Sequence, residues 1–180
     1  SAENPHIFLC GRSSLEGSLY FLECPYVNQN SLLYENSKEL IFTVHPKLSY
    51  EAFKEYSKIK SSDSKTKKQD LLRTRAHNEH ENNQKRIMDE KGAPVRVGYE
   101  IQLYHAPSRS YVRATREKNP KGNNILYNLR LSRKGGSGLA FKILPYYSFK
   151  KEQEELLISD KFYLENPKLQ AQIVFRQLPK

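Results

Sequence analysis

Leu40-Ile41-Phe42-Thr43-Val44-His45-Pro46 sets an apolar side chain at every second position and closes on a proline. Strand side chains alternate between faces, so Leu40, Phe42 and Val44 share one of them. The pattern recurs as Leu139-Ala140-Phe141-Lys142-Ile143-Leu144-Pro145, and more weakly as Ile173-Val174-Phe175-Arg176-Gln177-Leu178-Pro179. Without a helical stretch at 47 to about 97, roughly 50 residues separate the first two copies. Units of this length cannot each bury an apolar face alone, which predicts threefold pseudo-symmetry. A small barrel with a hairpin cap, the β-trefoil, closes three such lobes without a free edge. Coincidence is the competing account, since an alternating apolar strand followed by proline is common.

Outward from these copies, short strand signals are separated by Gly, Pro, Asn and Ser clusters. On the N-terminal side they are Ile7 to Cys10, Ser18 to Leu22, Ser31 to Tyr34 and Leu40 to Val44. They return as Tyr99 to Tyr104, Ser110 to Ala114, Ile125 to Leu131 and Leu139 to Leu144. Leu156 to Ser159, Lys161 to Leu164 and Gln172 to Gln177 complete the series. Between the two β regions the period becomes helical. Ser49 is placed to cap a helix whose stripe is Leu48, Ala52, Phe53, Tyr56 and Ile59. A second helix, Lys65 to about Lys91, stops at Gly92 and Pro94. Its apolar residues lie near its ends and its middle is polar, so it projects from the body and packs chiefly on its partner helix. A helical hairpin inserted in a β scaffold is the result.

The chain has 180 residues, 37% of them hydrophobic, with twelve Tyr, eight Phe and two Cys. That length fits one domain and buries a core without disulfides or metal. No apolar run is long enough to span a membrane, and the start lacks the charge and apolar run of a signal peptide. Two cysteines, Cys10 and Cys24, do not make a secreted disulfide framework, so a reducing, cytosolic setting is expected. The net charge is +10. Between His105 and Lys151 eleven basic residues face one acidic residue, Glu117, which accounts for the whole excess. Arg109, Arg113, Arg116, Arg130, Arg133 and Lys134 are the contact candidates for phosphates, acidic protein faces or anionic lipid. A solvated face that aids solubility is the alternative. Nucleic acid is a weaker reading, because aromatic residues alternating along strands belong first to a core.

Catalytic signatures are missing. No H-E-x-x-H, G-x-x-x-x-G-K-[ST] or G-x-S-x-G occurs. Gly135-Gly136-Ser137-Gly138 precedes a strand rather than a helix and reads as a hairpin connection. His77 and His80 beside Glu81 have metal-ligand chemistry, yet a solvated helix face explains them without further ligands. Cys10 near Arg12 has no histidine placed by sequence to activate it. No enzyme is expected. Tyr146 and Tyr147 follow Pro145, which breaks the strand alternation, so either can be the exposed one.

Gly98-Tyr99-Glu100-Ile101-Gln102-Leu103-Tyr104-His105, followed by Ser108-Arg109-Ser110-Tyr111-Val112, resembles the MIR-like motif G-x-x-I-x-L-x-H-x-x-S-x-x-Y-L. That motif occurs in the N-terminal trefoils of inositol trisphosphate and ryanodine receptors. Leu40 to Lys60 is similar to the family's lead into a helix-turn-helix arm. Leu71-Leu72 through His77, Glu79, Glu81 and Asn82, then Lys85 to Gly92, resembles the second arm helix. Phe141 to Tyr147 and Ile158-Ser159-Asp160-Lys161 resemble the following strand, aromatic loop and hairpin. The stretch after Asn166 is shorter than the family's third lobe, and the family's first strand is only loosely matched by His6 to Gly11.

The resemblance implies one suppressor-type β-trefoil over residues 1–180, with an arm at about 47–97. It implies a non-catalytic, cofactor-free regulatory domain of an intracellular calcium-release channel that responds to inositol 1,4,5-trisphosphate and Ca2+. The ligand cleft would lie in later domains of the same chain. The other implied partner is the neighbouring subunit of a homotetramer, to which Tyr147 would be presented. Neither nucleic acid nor direct membrane insertion is implied. The implied location is the cytosolic face of the endoplasmic reticulum. The competing function is a free-standing trefoil that binds polyanions, phosphoinositides or sugars through the basic stretch.

Overall fold

Period-two patterning becomes antiparallel strand pairing throughout a computed structural model of the chain. It describes residues 6–11, 19–24, 37–59, 67–118, 125–136, 138–157 and 160–173. The strands are β1 (His6–Gly11), β2 (Leu19–Cys24), β3 (Phe42–Pro46), β4 (Glu100–His105), β5 (Ser110–Lys118) and β6 (Ile125–Ser132). They continue as β7 (Phe141–Pro145), β8 (Phe162–Asn166) and β9 (Ala171–Gln172), with helices α1 (Glu51–Ile59) and α2 (Lys67–Asp89) between β3 and β4. Among the described residues the chain is mainly β with two inserted helices. It divides into one unit of Ser1–Val44 with Leu103–Lys134 and another of His45–Gln102 with Gly135–Lys180.

In the first unit β1 pairs with β2, and β5 pairs with β6 along eight residues of each strand. Val112 and its partner Leu131 are buried on one face, while Arg113 lies opposite Arg130 on the other. Cys10 is fully buried in this core, which removes its thiol from solvent reagents. His105 and Ser108 are buried as well, and His105 Nδ1 lies 2.7 Å from Ser108 Oγ. The His-x-x-Ser spacing of the sequence motif therefore satisfies a buried imidazole nitrogen from within one turn. Gly11 is needed beside it, since a Cβ there would stand 2.9 Å from the His105 ring.

In the second unit β7 pairs with β4 and β8, and β8 with β9, all antiparallel. Leu139, Phe141 and Ile143 are each fully buried, as the alternation predicts. Ile101 and Val97 join this core. Residues 95–97 are tied to 153–156 by the Val97 N–H to Glu154 O bond (2.9 Å), the Gln153 N–H to Val97 O bond (3.0 Å) and the Leu156 N–H to Val95 O bond (2.8 Å).

Several local expectations change. Leu40 leaves the predicted strand: Ser37–Leu40 forms a 3-10 turn, β3 begins at Phe42, and Val44 is exposed. Ser37-Lys38-Glu39 has poor strand propensity, which shifts the strand two residues on. The strand expected at Leu156 to Ser159 does not form in its described part, Leu156 and Leu157; one bridge, Glu155 to Arg96, lies just before it. The Asp160 carboxylate takes the Leu157 N–H at 2.7 Å while Leu157 O accepts the Asp160 N–H at 3.0 Å. Ser31 to Tyr34 and most of the third proline-ended copy lie outside the described residues.

Ser49 does not cap α1 with its own side chain. Glu79, in the middle of α2, accepts the N–H groups of Ala52 (3.0 Å) and Phe53 (2.9 Å) and the Ser49 hydroxyl (2.9 Å). Asn83 brackets Ser49, accepting its N–H at 3.1 Å and donating to its carbonyl at 2.7 Å. At the far end Gln69 Nε2 reaches Ile59 O, so the two helices run antiparallel. The polar middle of α2 thus supplies the first turn of α1 with hydrogen-bond partners.

Candidate interaction surface

β7 ends at Pro145, which cannot donate to a ladder, and the loop beyond it leaves the strand. Tyr146, Tyr147 and Phe149 follow and are exposed, Phe149 by 72%. Tyr147 stacks on Phe149 with centroids 5.3 Å apart and planes at 14°. Tyr146 meets Tyr147 edge-on at 4.9 Å and lies 5.3 Å from Tyr163 of β8, itself exposed. The Lys161 ammonium stands 5.8 Å from the Tyr146 ring centre, within cation–π range. Four aromatic rings therefore share one exposed cluster within the second unit.

This cluster has a firm base. Lys150 Nζ pairs with Asp160 at 2.6 Å, and both side chains are only 16% exposed. Lys150 also donates to Glu155 O at 3.3 Å, and the Lys150 N–H reaches Tyr147 O at 3.2 Å. The Lys150 hydrogen bond, and then the Leu157 N–H, hold the Asp160 carboxyl below its ordinary range. This charged pair thus fastens the C-terminal end of the segment that carries Tyr147 and Phe149, while the Tyr146 N–H to Lys161 O bond (3.3 Å) holds its start.

Of the two open choices, Tyr147 is exposed, and so is Tyr146; neither fills the core. Phe149 was not anticipated as a site residue. The run Tyr146-Tyr147-Ser148-Phe149 after a proline was the available signal, because three aromatics in four residues outside a strand exceed what one core face absorbs.

The basic candidates lie in the first unit and do not all share one strand face. Arg113 and Arg130 are directly opposed on β5 and β6, whereas Arg116 sits on the other face opposite Tyr127. Arg130 is loosely paired with Glu117 at 3.9 Å, and the Arg113 Nε is buried without a hydrogen-bond partner among the described residues. Arg109 occupies the turn between β4 and β5 with φ of 51°. Arg133 spends its Nε on Ser108 O at 3.4 Å, and Lys134 is exposed beyond it. Strand alternation splits what a count along the sequence had summed.

His77 forms an exposed contact with Glu81 at 3.3 Å, and no group of three metal-ligating side chains occurs among the described residues. Among those residues, no helix is long and apolar enough to cross a membrane.

The motif positions acquire physical roles from this geometry. Gly98 adopts φ of 87° and donates to Ile143 O at 2.9 Å, a conformation that favours glycine. Ile101 is buried, His105 bonds Ser108, and Val112 fills the core. No curated protein matches the chain. The family model described as inositol 1,4,5-trisphosphate/ryanodine receptor matches residues 28–175, from before β3 to beyond β9. With most of the sequence inside that match, the chain belongs to the inositol 1,4,5-trisphosphate/ryanodine receptor family.

Proposed function

We propose that the chain is the N-terminal regulatory domain of an intracellular calcium-release channel, a single suppressor-type β-trefoil with an inserted arm. In this reading it is non-catalytic and binds no cofactor itself. It modulates ligand affinity and gating through the following ligand-binding domains of its own chain and through the neighbouring subunit of a homotetramer. The parent channel responds to inositol 1,4,5-trisphosphate and Ca2+ and lies in the endoplasmic reticulum membrane, with this domain on the cytosolic face. Beyond family membership, the supporting observation is the Tyr146–Tyr147–Phe149–Tyr163 cluster. Aromatic rings exposed on a segment fastened by a nearly buried ion pair are characteristic of protein contact surfaces.

Regulation of this kind is a coupling free energy of about 1–3 kcal/mol carried by contacts that differ between channel states. The test removes residues 1–180 from the parent channel and measures inositol trisphosphate affinity and opening. Tighter binding with impaired opening supports the proposal. Unchanged affinity and opening reject it.

The directly opposed Arg113 and Arg130 favour a second reading, a polyanion-binding module. Like charges facing each other across a strand pair are unfavourable, and Glu117, 3.9 Å from Arg130, offsets only one of them. Stoichiometric binding of heparin or phosphoinositide vesicles at physiological salt, lost on Arg113→Gln or Arg130→Gln, is what that reading requires.

A further inference from the structure

A cavity of about 450 Å3 opens at the root of the helical arm, wholly within the second unit and remote in sequence from the aromatic loop. Its volume falls in the range of small-ligand sites. One wall is the start of α1, another the glycine-rich run before β7, and a third the turn after β8. The glycine run is itself shaped for this place. Any side chain on Gly135 would collide with the Tyr50 ring, and Gly136 and Gly138, with φ of 137° and 92°, leave that wall as bare backbone.

The polar groups of the lining are fixed before any ligand arrives. Gln102, 1% exposed, accepts the Tyr50 hydroxyl at 3.0 Å. Asn166, 2% exposed, donates to Ala140 O at 2.9 Å and accepts the Leu169 N–H at 3.1 Å. Held amides and a held phenol suit hydroxyl recognition, because little ordering cost remains.

Charge in the lining is unbalanced. Lys47 is matched by Glu100 at 2.8 Å, and Arg86 by Glu90 at 2.8 Å with a further bond to Lys47 O. Lys54 and Lys168 line the same cavity and take part in no ion pair among the described residues. Glu51 is the remaining carboxylate of the lining. Two uncommitted ammonium groups at a concave site favour an anion.

We propose that this cavity binds a small hydroxylated organic dianion of about sugar-phosphate size, with Lys54 and Lys168 as its cationic contacts and Gln102 and Asn166 facing its hydroxyls. The site does not depend on the channel reading. Because Tyr50 and Lys54 belong to the arm root and Gly136 and Asn166 to the β scaffold, an occupant would restrain the first turn of α1.

The test titrates the 180-residue chain with glucose 6-phosphate, malate, glucose and inorganic phosphate at physiological salt, by calorimetry and by amide resonances of residues 50, 136 and 168. Saturable binding of glucose 6-phosphate or malate is expected, and whichever binds identifies the anion as phosphomonoester or dicarboxylate. Affinity should exceed that for glucose and for inorganic phosphate by about tenfold or more. Lys54→Gln with Lys168→Gln should weaken it about tenfold, both positions being exposed and safe for folding. Ala140→Leu, which fills the cavity without altering charge, should abolish it while a thermal melt reports the fold. Absence of saturable binding, a response no stronger than to inorganic phosphate, or binding indifferent to both sets of variants would overturn the proposal.

Discussion

The carboxylate of Glu79, in the middle of α2, accepts the backbone N–H of Phe53 in the first turn of α1 at 2.9 Å. Its other oxygen takes Ala52 N–H and the Ser49 hydroxyl. A helix start leaves its first N–H groups without intrahelical partners, and a negative charge there also complements the helix dipole. Losing such a cap costs about 1–2 kcal/mol, so Glu79→Ala should lower stability by that amount in denaturant titrations. Amide exchange at 52 and 53 should speed up at the same time. Glu79→Gln keeps an acceptor and should recover part of the loss. An unaffected amide exchange rate would reject the cap.

The same carboxylate carries a pH dependence. Burial opposes its charge, yet the hydrogen bonds from Phe53, Ala52, Ser49 and Glu51 together hold its carboxyl below the ordinary value. A folded-state pKa below the unfolded one gives stability that is complete above the unfolded pKa. It is lost as pH falls through the folded value. Acid should therefore loosen the α1 start below about pH 4, and Glu79→Gln should flatten that part of the stability profile.

His105 predicts a second pH effect. Desolvation lowers its pKa from the ordinary 6.5, with Glu39 acting in the opposite direction. The unfolded chain then binds the proton more readily than the folded one, so stability falls as pH drops below about 6.5. His45 is lowered by burial too and adds to the same slope. His105→Gln should reduce the slope between about pH 6.5 and 5 in denaturant midpoints. Gly11→Ala, which presses a methyl against this buried ring, should cost about 1–3 kcal/mol at neutral pH.

Alternation located most of the described strands and helical periodicity with stop signals the two helices, and Phe141 with Ile143 sit in the core as the alternation requires. Linear reading failed where a distant partner decides the outcome. Glu79 and Asn83 looked like solvated polar residues because their partners, Ser49 to Phe53, lie about 30 positions away. Gly135 to Gly138 read as a connection, since nothing near it in sequence announces the Tyr50 ring. The basic stretch is divided by the pleat: Arg113 and Arg130 oppose each other on one face of the β5–β6 pair and Arg116 lies on the other. Exposure of Tyr147 was undecidable from alternation, because Pro145 interrupts the period.

The arm should be removable if its roots are kept. Leu48 and Val97 are buried, and residues 95–97 are hydrogen-bonded to 153–156, so a cut at those positions would open the core. Replacing residues 51–93 with a short Gly/Ser loop should instead leave one cooperative all-β unfolding transition by circular dichroism. An insoluble or non-cooperative product would show that the helices complete the core.

Inositol trisphosphate itself should bind the 180-residue chain negligibly at physiological salt. The channel reading puts its cleft in later domains, and in this chain Arg113 and Arg116 lie on opposite faces of β5. Weak attraction that disappears with added salt is expected of any protein with net charge +10. A stoichiometric complex in calorimetry that survives physiological salt would contradict the prediction.

Tyr147 and Phe149 offer the sharpest separation of contact surface from core. Tyr147 is 41% exposed and Phe149 72%, and the two rings stack on each other. Truncating an exposed aromatic forfeits ring contacts without opening a cavity, so Tyr147→Ala should cost the isolated chain less than about 1 kcal/mol. In the full-length channel, the same substitution should weaken opening without changing the amount of folded protein. Phe149→Ala should act in the same direction. Because the rings touch, the double variant should do less harm than the two single effects added together. A loss of about 3 kcal/mol or more in the isolated chain would instead mark Tyr147 as a packing residue. Normal opening in both single variants would remove the cluster from any role in subunit contact, whatever its exposure.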